Sequence, residues 1–569
     1  MRLAIVRLII TGFFILIASA LVYLQGLRGH YYYTLSKNNR IRVVEGEARR
    51  GRIFDRNGLV VADNRLSFEL KVVPQEVRSN DALFSFLGEA LEADKMALWA
   101  TYQRRKVNTF TPVLVAQDVP FPQAIVLAEN KFRFPGLVIQ VGSKRYYPYH
   151  DINAHVLGYV GQANRAQIRE LKNYGYEVQN FIGKSGVEEY YDSYLKGELG
   201  GLQVEVNNRG AQVRLLSFKE PHKGQDIGLT LDNRLQTAVT GALQGRRGAV
   251  VVMNSENGDI LALVSAPSFD PNFFIEGDPR VTDIFSDTQA PLLNRAISGQ
   301  FPPGSVFKVI MAIGAMESNK IYAQTTFACP GYYALGERQF RCSHVHGVQN
   351  LTEAIAHSCN VYFFHTGLLL EPLVVHKFAT MFGLGLPTSV DLPHEAKGFV
   401  PDGRHSKNIR GRRFSKGDRL NLAIGQGDTL ATPIQLAQLM ATVANAGQPV
   451  RPHLIRSIGA QAVSYDAVNV KLPVQKRTWN VLQSGLRAAV GDYSGTAHIL
   501  DIPGVTILGK TGTAQSSGDK PNHAWFAGYV AQGKIPLAFC VLLEYGGSSA
   551  NACEVAREII SYMQRENFL

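Results

Sequence analysis

The sequence predicts an α+β fold in which an antiparallel sheet is flanked by helices, on a chain that starts with a membrane anchor. Two apolar runs, 249–254 and 260–264, lie on either side of the turn residues Glu256-Asn257-Gly258 and indicate a hairpin. A helix is predicted at 234–244, and the last residues of the chain also have a helical pattern. Three further strand-like runs complete a predicted five-stranded sheet: 505–508, 524–530 and 537–543.

The N-terminal segment predicts the anchor. Residues 8–24 are apolar apart from a threonine and a serine, and at 1.5 Å per residue they span about 25 Å. Arg2 and Arg7 precede the segment and favour a cytoplasmic N-terminus. A cleaved signal peptide is the alternative, with Ala18-Ser19-Ala20 as a small-residue cleavage site. Because the apolar run continues past that site, we expect an uncleaved anchor with the rest of the chain exported.

The chain is too long for a single core, and we divide it into three parts. Residues 1–27 are the cytoplasmic tip and transmembrane anchor, and residues 224–569 form the domain with the predicted sheet. Between them, 28–223 mixes short β-rich runs such as 68–73 with helical stretches such as 82–98 and contains no catalytic cluster. We expect this middle part to be an elongated, non-catalytic pedestal.

Composition restricts the partners. A hydrophobic content of 46% with 19% charged residues is typical of a globular protein. The net charge of +12 suits work beside an anionic membrane and anionic polymers. Nucleic acid is the other common partner of a basic protein, but no binding motif supports it.

The segment 301–308 predicts a reactive serine at the start of a buried helix. Two prolines and a glycine end the preceding structure, and an uninterrupted apolar run at 309–313 follows. We therefore expect Ser305 in the first turn of the helix and Lys308 one turn further on, where the ammonium can reach the hydroxyl. A serine needs a base to become a nucleophile, and a lysine can be that base when burial lowers its pKa. The alternative is a surface serine and lysine at helical spacing.

Two further clusters favour the catalytic interpretation. Ser358-Cys359-Asn360 follows a helical segment at 351–356, and Lys510-Thr511-Gly512-Thr513 follows the strand-like run at 505–508. A serine-x-x-lysine element followed by serine-x-asparagine and lysine-threonine-glycine elements is the motif set of penicillin-binding proteins and serine β-lactamases. All three elements occur here in that order, so the sequence predicts chemistry through an acyl-serine.

Over nearly its whole length the chain resembles the class B penicillin-binding proteins, the transpeptidases that cross-link peptidoglycan. Besides the three motifs, the resemblance rests on 50–58, 183–188, 425–427 with the following Thr432-Pro433, and 524–529. The segment 267–272, together with the Cys-Pro-Gly and His-Gly elements, is more similar to the elongation type than to the division type. The resemblance implies a pedestal followed by a penicillin-binding transpeptidase domain, acylated by β-lactams.

The resemblance also implies a role for each motif residue. Ser305 attacks the carbonyl between the last two D-alanines of a stem peptide, and Lys308 takes its proton. Ser358 passes a proton to the departing D-alanine, with Lys510 nearby. The backbone N–H groups of Ser305 and Thr513 form the oxyanion hole. Substrate binding is assigned to Asn360, Thr511, Gly512 and Thr513, and catalysis needs no cofactor.

Three of the five cysteines lie with a histidine in one short region: Cys329, Cys342, His346 and Cys359. Three cysteines and one histidine form a common closed zinc site, and Cys359 lies inside the serine-x-asparagine motif. We therefore expect a structural zinc that holds this motif, with His344 as a substitute ligand. A disulfide between Cys329 and Cys342 is the alternative, because the periplasm is oxidising.

Other functions remain open at this level. A D,D-carboxypeptidase would pass the acyl group to water, and a non-catalytic β-lactam sensor or scaffold would not turn over. A β-lactamase would need neither anchor nor pedestal. The elongation type implies an inner-membrane protein with a periplasmic catalytic domain. It also implies a glycosyltransferase partner of the shape, elongation, division and sporulation family and other membrane proteins of the elongation complex.

Overall fold

The structure is a computed structural model. It describes residues 2–32, 41–46, 48–106, 109, 112–163, 181–198, 200–206, 212–404, 411, 413–465, 470–516 and 518–569.

The chain forms two compact units. One is made of Met1–Gly51, Asn64–Lys144 and Lys196–Gln225, and the other of Arg52–Asp63, Arg145–Leu195 and Asp226–Leu569. Two early segments of the chain thus belong to the unit that contains the C-terminal domain. The predicted division of the sequence at 27/28 and 223/224 stays a prediction.

The N-terminal helix matches the predicted anchor. It runs over Arg2–Leu21 and continues as a π-helical segment over Val22–Leu27. The 25 residues of Leu3–Leu27 have a mean hydropathy of 2.5 and are long and apolar enough to cross a membrane.

The first unit has a small core between helices and strands. Leu83, Phe84 and Leu87 pack with Tyr102 against strand residues such as Leu70. The single helix predicted at 82–98 is wrong, because two helices, Asn80–Ala90 and Lys95–Arg105, occupy this region. Glu92 between them has a φ of 51°, a left-handed conformation that ends a helix.

The second unit is built on a five-stranded antiparallel sheet, as predicted. Its strands are Gly248–Asn254 (β1), Ile260–Ala266 (β2), Ile507–Ala514 (β3), His523–Val530 (β4) and Leu537–Leu543 (β5). Their spatial order is β2-β1-β5-β4-β3, with every neighbouring pair antiparallel. This order makes β3 an edge strand, so one side of its backbone is open to a ligand.

Both faces of this sheet are covered, which explains why its strands are apolar without alternation. Val251 of β1 belongs to a core that includes the helices Lys308–Glu317 (α1) and Pro433–Ala444. Its neighbour Val250 belongs to a second core, shared with the C-terminal helix.

Two short helices complete the frame of the site: Leu351–Ala356 (α2) and Asn360–Leu369 (α3). The other α-helices of the described residues are Phe121–Glu129, Ala154–Leu157, Gly186–Tyr190, Asp192–Leu195, Asn233–Leu243, Asn272–Glu276, Arg280–Ser286, Pro372–Met381, Lys416–Ala423, Lys476–Gly491 and Ser549–Arg565. The other strands in this part of the chain are Ile41–Gly46, Ile53–Phe54, Val60–Val72, Val113–Ala116, Leu137–Tyr146, Val160–Gln162, Phe181–Gly183, Gly200–Val206, Gln212–Lys219, Ile227–Leu229, Phe327–Cys329, Tyr332–Leu335, Arg338–Arg341, Gly347–Gln349, Ile455–Ile458 and Gln461–Ala462.

A buried ion pair connects the end of β5 to the segment that leads into the turn Gly304–Phe307. This turn carries Ser305 and is called the nucleophile turn below. Glu544 accepts a hydrogen bond at 2.7 Å from Arg295, whose side chain is fully buried, and another at 2.8 Å from Arg247. Arg295 also donates to the carbonyls of Gln289 and Ala290. These contacts hold three separate segments of the unit together.

We expect Glu544→Ala to lower the free energy of unfolding by about 3–5 kcal/mol, because it removes a buried carboxylate that neutralises a buried guanidinium. Urea unfolding of the detergent-solubilised chain, followed by tryptophan fluorescence, measures the change. Glu256→Ala, in the exposed turn between β1 and β2, is the control. A loss below about 1 kcal/mol for Glu544→Ala would contradict the stated role of the pair.

Candidate active site

Ser305 lies in a tight turn that is packed on two sides. It belongs to the 3₁₀ segment Gly304–Phe307, and α1 begins at Lys308. Ser305 therefore lies just before the α-helix and not in its first turn, where the sequence predicted it. Gly304 has a φ of 55°, and a Cβ atom there would lie 2.8 Å from the carbonyl oxygen of Thr513. A residue larger than glycine would push β3 away from the serine.

The Gly425-Gln426-Gly427 turn supports the nucleophile turn from the other side. Gly304 N–H donates to the carbonyl of Gly425 at 3.0 Å. Gly425 has a φ of 65°, and a Cβ atom there would lie 2.3 Å from the Gly304 carbonyl oxygen. Glycine is required at both positions because the two turns touch through their backbones.

Lys308 is fully buried, and its amine is held by the second motif. Nζ lies 2.7 Å from the Ser358 carbonyl oxygen, 2.7 Å from Asn360 Oδ1 and 3.3 Å from Ser358 Oγ. The carbonyl and Oδ1 can only accept, so they take both N–H groups of a neutral amine. The lone pair then remains for a hydroxyl proton. This arrangement fits a lysine that acts as a base.

Burial lowers the pKa of Lys308 to about 8, although the thiols of Cys342, Cys359 and Cys329 act in the opposite direction. About one amine in ten is therefore neutral at pH 7, far more than for an exposed lysine. Burial also lowers the pKa of Lys510 well below its usual value, and the nearby charge of Lys308 lowers it further.

The second motif has an unusual backbone. Ser358 N–H donates to the Ile355 carbonyl and Cys359 N–H to the Ala354 carbonyl, which is the Schellman pattern at the end of α2. The residue at the left-handed position of this pattern is usually glycine, but here it is Ser358, with a φ of 55°. A non-glycine residue in this conformation is strained, and such strain is concentrated at functional sites.

The third motif lies within the edge strand β3, which extends beyond the strand-like run predicted at 505–508. Thr511 and Thr513 line the cleft. A Cβ atom at Gly512 would lie 2.9 Å from the carbonyl oxygen of Pro303, so this glycine allows the nucleophile turn to approach. The side chain of Lys510 is buried, with Nζ 3.3 Å from the Thr511 carbonyl oxygen.

These elements surround an open cleft of about 750 Å³, within the usual range for ligand pockets. Six predicted site residues line it: Ser305, His346, Ser358, Asn360, Thr511 and Thr513. Lys308, Gly512 and Lys510 lie behind this surface. Sequence reasoning missed several lining residues, which come from loops and helix ends without a motif: Ser343, His357, Ser494, Gly495, Thr496, Ser548, Ser549 and Ala550.

The structure brings together all four predicted metal ligands. Cys329 Sγ, Cys342 Sγ, Cys359 Sγ and a His346 ring nitrogen lie within 4.8 Å of one another. His346 Nδ1 is 3.5 Å from Cys329 Sγ and 3.5 Å from Cys342 Sγ. In a tetrahedral zinc site with usual bond lengths, sulfur and nitrogen ligands lie about 3.6 Å apart. The donor set and spacing fit this metal, and all three thiols are free in this structure.

The cluster is joined directly to the second motif. Cys359 immediately precedes α3, and Asn360 N–H donates to Cys342 Sγ at 3.2 Å. Hydrogen bonds from the Cys359 thiol and from backbone N–H groups hold the pKa of Cys342 far below its usual value. A thiolate is the form that binds a metal.

Comparisons with known proteins agree with this geometry. Residues 248–561 match the penicillin-binding protein transpeptidase domain, and residues 45–229 match the penicillin-binding protein dimerisation domain. Peptidoglycan D,D-transpeptidase MrdA of Acinetobacter baumannii is 33% identical over 96% of this chain and 85% of that protein.

Solved structures are also similar. The penicillin-binding protein PBP2 of Helicobacter pylori, in complex with MreC, has a TM-score of 0.81, with 28% identity over 93% of this chain and 99% of that chain. A chain from a peptidoglycan synthase complex that coordinates polymerization and crosslinking has a TM-score of 0.73, with 31% identity over 98% of both chains. The chain thus belongs to the class B penicillin-binding proteins, in the group of PBP2-type peptidoglycan D,D-transpeptidases.

Proposed function

We propose that this protein cross-links peptidoglycan stem peptides through an acyl-serine intermediate during cell elongation. Ser305 Oγ attacks the carbonyl between the last two D-alanines, and the neutral amine of Lys308 takes its proton. The terminal D-alanine leaves, and an amine of a neighbouring stem then attacks the ester to form the cross-link. The observation that carries this proposal is the buried Lys308, held by Ser358 and Asn360 behind the cleft that contains Ser305.

The other motif residues serve the same reaction. Ser358 Oγ, 3.3 Å from Lys308 Nζ, passes a proton to the leaving D-alanine. Asn360 and the open edge at Thr511 and Thr513 bind the peptide backbone, with Gly512 keeping that edge accessible. The backbone N–H groups of Ser305 and Thr513 stabilise the oxyanion, and the buried side chain of Lys510 lies behind them.

We propose that the same cleft is acylated by β-lactams, because they present a strained amide to the same serine. Passing the acyl group to water instead would make the protein a D,D-carboxypeptidase. The fate of the acyl-enzyme separates these two activities.

We propose that the anchor lies in the inner membrane and that the parts of both units that follow it are periplasmic. This orientation places the cleft beside the peptidoglycan. The similar structures occur with MreC and in a synthase complex that couples polymerization to crosslinking. We therefore propose partners of the elongation complex, including a glycosyltransferase of the shape, elongation, division and sporulation family, as a source of glycan strands.

Cys329, Cys342, His346 and Cys359 would hold a structural zinc. Bound there, the metal would cross-link the segments that carry its ligands and so fix the conformation of the second motif. The metal would hold Cys359, which lies between Ser358 and Asn360, and Cys342 would keep its hydrogen bond from the Asn360 N–H. His344 lines the cleft nearby and remains a substitute ligand.

Benzylpenicillin should form a single covalent adduct that is absent from Ser305→Ala, because only the serine supplies the attacking oxygen. An intact-mass time course of the full chain in detergent measures it. Ser286→Ala, in an exposed helix away from the cleft, is the matched control. An adduct that persists for many minutes supports a transpeptidase, and rapid loss supports a hydrolase. Failure of the folded protein to react would contradict the proposal.

The acylation rate should rise with pH and level off above the pKa of Lys308, about 8. The neutral amine is the base, so each pH unit below that value should slow the reaction about tenfold. Stopped-flow acylation across about pH 6 to 10 checks this expectation. Lys308→Arg should be inactive throughout, because a guanidinium stays protonated. The exposed change Lys320→Arg should retain the profile, and a flat profile for the unaltered protein would exclude Lys308 as the base.

Protein purified without added zinc should contain one zinc per chain, measured by plasma mass spectrometry. Cys342→Ala should lose the metal and slow acylation, because Asn360 loses its support. Cys540→Ala, on β5 outside the cluster, should keep both. Metal-free protein with a stoichiometric disulfide between Cys329 and Cys342 would show the zinc proposal to be wrong.

A further inference from the structure

The wall of the cleft contains a chain of hydrogen bonds that the three motifs do not include. His357 Nδ1 lies 2.6 Å from Gln349 Oε1, and His357 Nε2 lies 3.1 Å from Ser494 Oγ. Ser494 and His357 both line the cleft, whereas Gln349 is buried behind it.

The direction of each hydrogen bond follows from Gln349. Its Nε2 group donates to the carbonyls of His346 and Val348, both at 3.1 Å, so Oε1 is the atom that faces His357. An amide oxygen can only accept, and His357 Nδ1 must therefore carry a hydrogen. In a neutral imidazole the other nitrogen, Nε2, then has a lone pair and accepts the proton of Ser494.

The consequence is that Ser494 has no proton left for a substrate. Its hydroxyl has one hydrogen and two lone pairs, and the hydrogen points at His357. In the part of the chain that the structure describes, no N–H group donates to Ser494 Oγ. Ser494 therefore presents to the cleft a hydroxyl oxygen that can only accept a hydrogen bond from a substrate.

The loop that carries Ser494 is held at both walls of the cleft. Gly495 N–H donates to the Asp492 carbonyl at 2.8 Å, and Thr496 N–H to the Ala356 carbonyl at 3.3 Å. Thr511 Oγ1 of β3 donates to Thr496 Oγ1 at 2.8 Å. Ser494 is thus placed relative to both the second and the third motif.

We infer that Ser494 binds the peptide substrate by accepting a hydrogen bond from one of its N–H groups, and that His357 and Gln349 are positioning residues that orient its hydroxyl. The inference rests on the proposed function and identifies a further contact in the same cleft. The donor stem offers amide N–H groups and the acceptor stem offers an amine. Both are nitrogen donors, and the experiment below separates them.

The test uses the full chain in detergent, with benzoyl-D-alanyl thioglycolate as donor and D-alanine as acceptor. Thiol release gives kcat and KM for the donor, and the amount of benzoyl-D-alanyl-D-alanine gives KM for the acceptor. Ser494→Ala should raise one of the two KM values about threefold to tenfold, the size of one neutral hydrogen bond, with kcat nearly unchanged. A change in the donor KM assigns the contact to the amide, and a change in the acceptor KM assigns it to the amine.

The orienting chain is tested by a double-mutant cycle. His357→Phe keeps the ring but removes both nitrogens, so it should cause a similar rise in the same KM. The double variant should lose no more than either single variant, because both act through one hydroxyl. Ser494→Thr keeps the hydroxyl and should restore the KM. Ser286→Ala is the matched serine control, and every variant is checked for zinc content and for its unfolding midpoint.

Unchanged KM values for Ser494→Ala, or additive losses for the two substitutions, would overturn the inference. A fall in kcat with both KM values constant would overturn it as well, because it would indicate a structural effect. If the unaltered protein released no thiol from the donor, the proposed function itself would be wrong, and the inference would fall with it.

Discussion

The active site depends on keeping an amine buried. Lys308 is the first residue of α1, and residues 309–316 of that helix are buried in the core, where a charged ammonium is unfavourable. Three polar groups of the second motif nevertheless surround its amine. The low-dielectric surroundings lower its pKa, and the surrounding acceptors keep it in place. The rest of the unit holds the Ser358 carbonyl and the Asn360 side chain within hydrogen-bond distance of the Lys308 amine. A lysine on the surface would stay charged and could not be a base.

Close backbone contacts provide that precision. The nucleophile turn touches the Gly425 turn on one side and β3 on the other, and at each contact a glycine leaves no room for a side chain. Side chains could adjust to small movements, but backbones that touch directly cannot. Ser305 is therefore positioned relative to the edge strand by main-chain contacts, which do not vary with rotamer. Ser358 contributes in the opposite way, because it occupies a left-handed position where glycine would be more relaxed.

The cysteine cluster extends this control to the second motif. Its ligands come from the end of one short strand, from the residue after a second, from the residue before a third and from the residue that precedes α3. Short strands of this kind have little stability of their own. A shared metal would join them and, through the Asn360 N–H, fix the amide that holds Lys308. The chain from Gln349 through His357 to Ser494 begins beside the same cluster, so one small region supports both walls of the cleft.

The sequence by itself determined the chemistry of this protein. Motif spacing predicted Ser305, Lys308, Ser358, Asn360 and the β3 motif, apolar runs predicted the five strands, and the grouping of cysteines predicted the four residues of the cluster that the structure brings together, because each of these signals is local. Local patterns could not show that Ser358 is left-handed, that Lys308 turns to Asn360, or that Ser494 lies beside His357, 137 residues away in the chain. Local patterns also did not predict that Arg52–Asp63 and Arg145–Leu195 belong to the same unit as the C-terminal domain. Nor did they predict the break between the helices at 80–90 and 95–105. Only the tertiary structure decided these features, because they depend on contacts between distant segments and on hydrogen-bond directions that no single segment contains.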